Sequence, residues 1–301
     1  MLRPLAILLA ASRCGLVALL LQAWLRPNRA VVDARLALEH WDAVADGMHN
    51  SNTDMIWWRD AATSDDAVTW TPFEPVGPEG WLFWRPKSPD GGATWYVPAY
   101  WRDHGESILL RSRDGRGWER VSAIHRGDGN DETALEFLPG GRLLATARLE
   151  VTPDTVLGHC DAGTAIAVAD PPYTTWRTAR SQVTRLDGPA LFRVGDTVFA
   201  VARHQPGARG WWTRLGGVLS RKRTALYRVE PGRLVHLSDL PSAGDTSYAG
   251  VVVRNGFVHV DYYTSRIDRD YPWLLGMLLR SDIRMARFPV DSLLALSRAT
   301  P

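Results

Sequence analysis

The chain has 301 residues, of which 45% are hydrophobic and 23% are charged, so it can form at least one large globular domain with a substantial core. Its 35 Lys and Arg residues nearly balance its 33 Asp and Glu residues, giving a formal charge of +2, which argues against a general nucleic-acid-binding protein. The 14 tryptophans are unusual, and they suit both packing between sheets and sugar-binding surfaces.

The chain begins with a mostly apolar segment, residues 5–25, between Arg3 and Arg26. Its length suits a membrane span, but Arg13 within it disfavours insertion by roughly 2.5–3.5 kcal/mol. The same residues also fit a signal peptide that ends near Ala11. We expect an extracytoplasmic protein, either secreted or tethered to a membrane through residues 5–25. A misassigned start codon and a cytoplasmic protein with a buried helix are the alternatives.

Residues 31–44 have the pattern of a short amphipathic helix that leads into the main domain. After about residue 46 the helical periodicity is absent, and short β-branched and aromatic runs alternate with Gly-containing turns. The two cysteines, Cys14 and Cys160, are poorly placed for a structural disulfide, and neither Cys nor His shows metal-ligand spacing. We therefore predict an all-β domain with no metal and no cofactor.

Three hairpin-like units follow one another at a nearly constant spacing. They begin at Asp131, Asp187 and Asp245, which are 56 and 58 residues apart, and each is an apolar strand, a Gly-containing turn and a second strand. Matching strands lie before and between these units, at 81–84, 95–101, 107–111 and 118–124. Two hairpins per repeat make four strands, which is the content of one propeller blade.

The repeat is shortened at its N-terminal end. Residues 49–57 look like a first strand, yet the next unit begins only about 28 residues later. We therefore predict a β-propeller of five to six four-stranded blades, with the first blade abbreviated or completed by the C-terminal strand 282–288. The predicted domains are residues 1–46 (the apolar segment and short helix), 47–291 (the propeller) and 292–301 (a tail).

A turn motif is the second strong signal. In Ser88-Pro-Asp-Gly-Gly-Ala-Thr-Trp95, the Ser and Asp side chains can bond nearby backbone amides, the glycines allow a positive φ, and the Trp anchors the turn. Shorter variants occur at 64–70 and 112–118. This motif resembles the Asp box of the Asp-box (BNR-repeat) sialidase superfamily, whose members are typically six-bladed β-propellers. The resemblance covers roughly residues 49–287, and it implies that the boxes are structural turns.

The same resemblance implies an active site. In sialidases a tyrosine is the nucleophile, a glutamate activates it, three arginines hold the substrate carboxylate, and an aspartate is the acid/base. On this pattern Tyr248 is the nucleophile and Glu132 is the general base. Arg148 and Arg203 are members of the arginine triad, because a guanidinium matches a carboxylate with two parallel hydrogen bonds.

The rest of the set is less complete, because the first arginine and the acid/base of the family come from the shortened N-terminal blades. Asp54 is the candidate acid/base, and Arg85 is a substitute carboxylate ligand. The plain alternative is structural: a Glu at a strand start bonds an adjacent turn, and an Arg at a strand end pairs with a carboxylate. The basic, aromatic stretch 209–223 is either a lid over a sugar or a solvated loop.

The sequence therefore predicts a monomeric, sialidase-like glycoside hydrolase that acts on terminal sugars, acidic ones included. Its partner is a carbohydrate or glycoconjugate, and no nucleic acid is involved. One alternative is a carbohydrate- or protein-binding propeller without catalytic turnover. Another is a truncated relative whose ring does not close, which would leave an unpaired strand edge.

Overall fold

The computed structural model describes residues 15, 17–18, 26–48, 60–61, 69–72, 74–150, 163–206 and 220–301. This part of the chain forms four four-stranded antiparallel sheets and one two-stranded sheet. We number them blades 1 to 5 in chain order. The arrangement confirms the predicted all-β propeller, and the described part of the first blade has two strands.

The strands fall into consecutive blades. Blade 1 contains β2 (Asp60–Ala61) and β3 (Glu74–Pro75). Blade 2 contains β4 (Trp81–Phe83), β5 (Trp95–Trp101), β6 (Glu106–Ser112) and β7 (Glu119–Arg126). Blade 3 contains β8 (Asp131–Phe137), β9 (Leu143–Arg148), β10 (Thr164–Ala169) and β11 (Arg177–Ser181). Blade 4 contains β12 (Asp187–Val194), β13 (Thr197–His204), β14 (Arg223–Glu230) and β15 (Arg233–Asp239).

Blade 5 is built from both ends of the domain. Its strands β16 (Thr246–Arg254), β17 (Phe257–Ser265) and β18 (Ser281–Pro289) are joined by β1 (Glu39–Val44), which pairs antiparallel with β18. The prediction of a helix over 31–44 is therefore wrong. The edge of β18 has backbone groups that need partners, and pairing them outweighs the local helical periodicity. The C-terminal strand thus lies in blade 5 rather than completing blade 1.

Two α-helices follow the blade 5 hairpin: α1 (Trp273–Leu278) and α2 (Val290–Ala299). The second one covers most of the stretch expected to be a tail. Its Leu293 and Leu296 are buried, and they join Leu36 in the hydrophobic cluster of blades 4 and 5. This apolar face stabilises a helix of only 10 residues, which would be marginal alone.

The core consists of side chains packed between neighbouring blades. Alternate residues of β13 point to opposite faces, so Phe199 and Val201 join the cluster with blade 5, whereas Ala200 and Ala202 join the cluster with blade 3. Blade 4 is therefore apolar on both faces. This packing fixes the relative positions of the strands that carry the candidate site.

The turn motif adopts the conformation expected from its sequence. The Ser88 hydroxyl accepts a hydrogen bond from Gly92 N at 2.7 Å, and Asp90 Oδ1 accepts one from Thr94 N at 2.8 Å. In the shorter copy, Asp114 Oδ1 accepts from Gly117 N at 2.8 Å. Both motifs therefore satisfy turn amides with their own side chains, as structural turns should.

Several predicted features lie outside the described residues. They include nearly all of the apolar segment 5–25, the strand expected at 49–57, most of the turn copy at 64–70, and residues 209–219 of the basic insertion. Among the helices that are described, none combines the length and the hydrophobicity needed to cross a bilayer.

Candidate functional site

The first strands of blades 3, 4 and 5 share a local irregularity. In each of them the antiparallel register shifts near the start of the strand, after Asp131, Asp187 and Ser247 respectively. The strands β8, β12 and β16 each lie at one edge of their sheets, and β12 contacts both β8 and β16, so the three irregularities are close together. Such bulges redirect side chains, and here they carry the candidate site.

Equivalent positions in the three bulges hold Glu132, Gly188 and Tyr248. All three have a positive φ, of 26°, 62° and 50° respectively. This conformation is unfavourable for glutamate and tyrosine, so the surrounding structure has to hold them in it. Backbone strain concentrated at side chains that face each other is typical of functional sites.

The two strained side chains form a hydrogen bond. The Tyr248 hydroxyl donates to Glu132 Oε1. The other carboxylate oxygen, Oε2, accepts from the backbone amide of Gly188 at 2.7 Å. Glu132 is only 4% exposed. One bulge therefore supplies the carboxylate, the next orients it, and the third supplies the phenol.

Burial raises the pKa of Tyr248 well above its ordinary value, and the carboxylate of Glu132 adds to the shift. The phenol is therefore protonated at neutral pH. A protonated tyrosine needs a base to become a good nucleophile, and Glu132 is in direct contact with its proton.

Gly188 leaves room for the tyrosine ring. A Cβ at this position would lie 3.1 Å from atoms of Tyr248. The ring also packs near Trp84, whose centroid is 6.1 Å away and whose Nε1 donates to Pro189 O at 2.9 Å. Arg85 donates to the same carbonyl at 3.1 Å, which places this predicted ligand at the edge of the site.

Arg148 lies among several carboxylates. Its Nε donates to Asp131 Oδ1 at 2.7 Å, its Nη1 lies 3.1 Å from Glu132 Oε2, and its Nη2 lies 3.0 Å from Glu150 Oε1. One guanidinium thus lies close to these three acidic groups and, at a longer distance, to Asp187. Burial raises the pKa of Asp131 to about 6. The negative charges of Glu132 and Glu150 also raise this pKa, whereas Arg148 lowers it.

Arg203 donates hydrogen bonds to residues of blade 5 and of the loop that precedes it. Its Nε donates to Thr246 O at 2.8 Å, and its Nη2 donates to Asp245 Oδ1 at 3.1 Å and to the Tyr263 hydroxyl at 2.8 Å. Its guanidinium also lies 5.8 Å from the centroid of the Tyr248 ring. Arg203 therefore places a buried positive charge beside the candidate nucleophile.

Asp187 joins the two arginines. Its Oδ2 accepts from Arg185 Nη2 at 3.0 Å and lies 3.6 Å from Arg203 Nη1, and its Oδ1 lies 3.8 Å from Arg148 Nη1. Burial alone would raise the pKa of Asp187, but Arg185, Arg148 and Arg203 more than offset it, so the pKa lies below its ordinary range. Asp187 is thus a buried anion that holds these cations in place.

The structure brings together four of the six predicted site residues: Glu132, Tyr248, Arg148 and Arg203. Asp54 lies outside the described residues, so its role as acid/base stays a prediction. The structural alternative for the arginines also has support, because both pair with protein carboxylates. The catalytic and substrate-binding roles of all six residues stay predictions.

Sequence reasoning missed the acidic groups that hold the arginines. Asp187 and Asp245 were visible as the first residues of two repeat units, so the repeat itself was a signal. No comparable pattern pointed to Arg185. The same is true of Trp273 in α1, whose Nε1 donates to Asp245 Oδ1 at 2.7 Å. These residues reach the site only through the packing of blades 4 and 5.

No protein-family model and no curated protein sequence matches the chain. Among solved structures, the phage phi92 endosialidase is similar with a TM-score of 0.52 at 14% identity, over 74% of this chain and 39% of its own. The NanB sialidase from Streptococcus pneumoniae gives a TM-score of 0.52 at 14% identity, over 77% and 36%. The chain thus spans less than two fifths of either protein. The likeness shows that the fold is that of the sialidase-like β-propellers.

Proposed function

We propose that this chain is a sialidase-like glycoside hydrolase that acts on terminal sugars of carbohydrates or glycoconjugates. The observation that carries the proposal is the buried hydrogen bond from the Tyr248 hydroxyl to Glu132. Together with the charge of Arg203 near the ring, this hydrogen bond supports an activated nucleophile rather than an ordinary core contact. The fold places this pair where the first strands of three blades meet.

In the first step, Tyr248 Oη attacks the anomeric carbon while Glu132 takes the phenol proton. The bond to the leaving group breaks, and an acid protonates the departing oxygen; we assign this acid to Asp54. In the second step, water attacks the anomeric carbon while Asp54, now ionised, takes a proton from it, and the carbon–tyrosine bond breaks. Glu132 then returns the proton to Tyr248, and the sugar is released with retained configuration.

The charges around Tyr248 and Glu132 help to decide whether the substrate is an acidic or a neutral sugar. The carboxylates of the network are the buried Asp131, Glu132, Asp187 and Asp245 and the half-buried Glu150, and its cations are Arg148, Arg185, Arg203 and Lys222. The five anions and four cations leave no positive surplus. A substrate carboxylate would have to compete with protein carboxylates for the arginines. Neutral and acidic sugars are therefore both candidates, and their comparison belongs in the first assay.

The same pairing of the arginines favours a second candidate, a carbohydrate-binding propeller without turnover. In such a protein the Arg–carboxylate network would be structural, and the exposed rim would bind the sugar. This candidate predicts binding that does not depend on the Tyr248 hydroxyl. A measurement of glycoside hydrolysis distinguishes this binding protein from the proposed hydrolase.

The test is hydrolysis of a panel of aryl glycosides, with sialosides beside neutral sugars, by the full chain. Wild type is compared with Tyr248→Phe and Glu132→Gln. The matched control is Tyr173→Phe, which loses a hydroxyl that donates to Gly141 O at 2.7 Å, far from the pair in sequence and contacts. We expect activity in wild type and control only. A folded wild type that hydrolyses nothing, or an active Tyr248→Phe, would contradict the proposal.

We further propose that the protein is exported or anchored through residues 5–25. The test is the distribution of an epitope-tagged chain between cytosol, membrane and exterior of a bacterial host. Deleting residues 1–25 should move the protein into the cytosol. An unchanged distribution would contradict this part of the proposal.

A further inference from the structure

A second group of ionisable side chains lies on the opposite face of blade 4 from Arg203. His204 follows Arg203 at the end of β13, and neighbouring residues of a strand point to opposite faces. Arg203 therefore reaches blade 5, whereas His204 contacts Tyr227, which packs in the cluster shared with blade 3. This group takes no part in the proposed glycoside chemistry.

Three potential metal ligands converge there. The ligand atoms of His204, His236 and Asp239 all lie within 4.8 Å of one another. The two imidazole rings have centroids 4.5 Å apart and an interplanar angle of 31°. His236 Nε2 lies 3.0 Å from Asp239 Oδ1. The ligands come from two strands that are separated by β14, so the blade itself holds them at this spacing.

Outer hydrogen bonds fix the orientation of these ligands. The fully buried Tyr227 lies between the strands, with its hydroxyl 2.6 Å from Nδ1 of His204, which leaves Nε2 as the ligand atom. Asp239 Oδ2 accepts from the backbone amide of Val31 at 2.9 Å, which directs Oδ1 toward the histidines. Metal sites in proteins typically hold their histidines and carboxylates by such outer contacts.

The surroundings of the group leave room for a cation. The nearest cationic side chain, Arg223, pairs with His204 in the strand register, but its Nη2 donates to Asp270 Oδ1. The side chain of His236 is 32% exposed, which gives an ion a path from solvent.

We propose that His204, His236 and Asp239 bind one divalent transition-metal ion, with Zn²⁺ the best match. Two imidazoles and one carboxylate are ligands that Zn²⁺ prefers, and they leave the fourth tetrahedral position for water. The ion would link β13 to β15 and tie them to the N-terminal segment through Val31. Its role would be to stabilise blade 4.

The other group of potential ligands in the described residues differs in one decisive respect. His104, Asp131 and Glu150 also lie close together, but Arg148 already binds both carboxylates. A metal ion there would face a fixed positive charge. We therefore place the metal only at His204, His236 and Asp239.

The test uses the full chain, stripped with a chelator and titrated with ZnCl₂. Bound zinc is measured by elemental analysis after gel filtration, and the ligand field is probed by the visible spectrum of the Co²⁺ form. The variants are His236→Gln and His204→Gln. The matched control is His259→Ala, a partly buried histidine in blade 5.

We expect one zinc per chain in wild type and in His259→Ala, with tetrahedral Co²⁺ bands and a raised Tm. Each ligand variant should bind zinc at least about tenfold more weakly, because even outer-contact mutations at metal sites cost 10–100-fold. A folded wild type that binds no zinc would overturn the proposal. So would stoichiometric zinc with unchanged affinity in either ligand variant, which also covers the case in which only one variant folds.

Discussion

The bulges of blades 3 and 4 have the same backbone but opposite electrostatics. Each begins with an aspartate that pairs in register with an arginine on the next strand, Asp131 with Arg148 and Asp187 with Arg203. Asp131 shares one arginine with other carboxylates, and burial raises its pKa to about 6. Asp187 lies among several cations, and its pKa is lowered.

The next position of each bulge also differs between the two blades. It holds Glu132 in blade 3 and Gly188 in blade 4, and the glycine makes room for the ring of Tyr248. The repeated backbone thus supplies a strained position three times. The side chain placed there decides whether the position supplies a carboxylate, space for a neighbour, or a phenol.

The largest effect should come from the two reactive bulges. Glu132→Gln should lower kcat/KM by about 10²–10⁴-fold, the range for loss of a general base, and Tyr248→Phe should lower it at least as much. Because the two groups act as a unit, the double variant should be no slower than Tyr248→Phe alone. Steady-state kinetics on the preferred glycoside checks this. Multiplicative losses would show that the residues act independently.

The next effect concerns the stability of the blade 4 bulge. Asp187→Asn removes the anion that faces buried Arg185, Arg148 and Arg203. Leaving buried cations without their partner should cost about 3–5 kcal/mol in the free energy of unfolding. Urea unfolding measures it, beside the exposed control Asp196→Asn, which should change stability by less than about 0.5 kcal/mol. Equal stabilities of the two variants would contradict the assigned role.

A smaller effect is expected in the pH dependence of stability. The folded-state pKa of Asp131, about 6, is above its ordinary 3.8. Asp131 therefore adds to the free energy of unfolding at low pH, and this stabilisation is lost as pH rises through 6. Wild type should therefore lose on the order of 2–3 kcal/mol relative to Asp131→Asn between about pH 4 and pH 7. Asp187 should act in the opposite sense at lower pH, because its pKa lies below its ordinary 3.8. Wild type should therefore lose stability relative to Asp187→Asn as pH falls below about 4. Urea unfolding from about pH 3 to pH 7 measures both effects, and equal slopes for wild type and Asp131→Asn would contradict the contrast.

The smallest effect isolates the space beside the tyrosine. Gly188→Ala and Gly195→Ala lie on the same hairpin, and both replace a glycine of positive φ, but only Gly188 has Tyr248 in the way. Both should lose about 1–2 kcal/mol for the backbone conformation. Gly188→Ala should lose about 1 kcal/mol more, from the displaced ring, and should alone reduce activity. Thermal unfolding and kcat/KM check this. Equal behaviour would mean that the ring has room to move.

The propeller could be predicted from sequence because its signals are local. Strand, turn and strand recur at Asp131 and Asp187, and the structure uses these same residues as equivalents. The third unit shows the limit. Its sequence start is Asp245, but the structural equivalent of Asp187 is Ser247, because the position of a bulge depends on pairing with the next strand.

Non-local pairing explains the remaining errors. Residues 39–44 form a strand because β18 lies beside them, and the partner is more than 200 positions away. The arginines were found as strand-end residues. Their carboxylate partners were not, since Arg203 meets Asp245 only across the interface between blades 4 and 5.

In the proposed reaction, Tyr248 attacks the sugar with Glu132 as its base. The most direct measurement is intact-protein and peptide mass spectrometry after incubation with a fluorinated glycosyl fluoride of the sugar preferred in the hydrolysis panel. We predict one covalent glycosyl adduct per chain, mapped to Tyr248, formed more slowly in Glu132→Gln and absent in Tyr248→Phe. Hydrolysis without any adduct on Tyr248, or an adduct that persists in Tyr248→Phe, would contradict this mechanism.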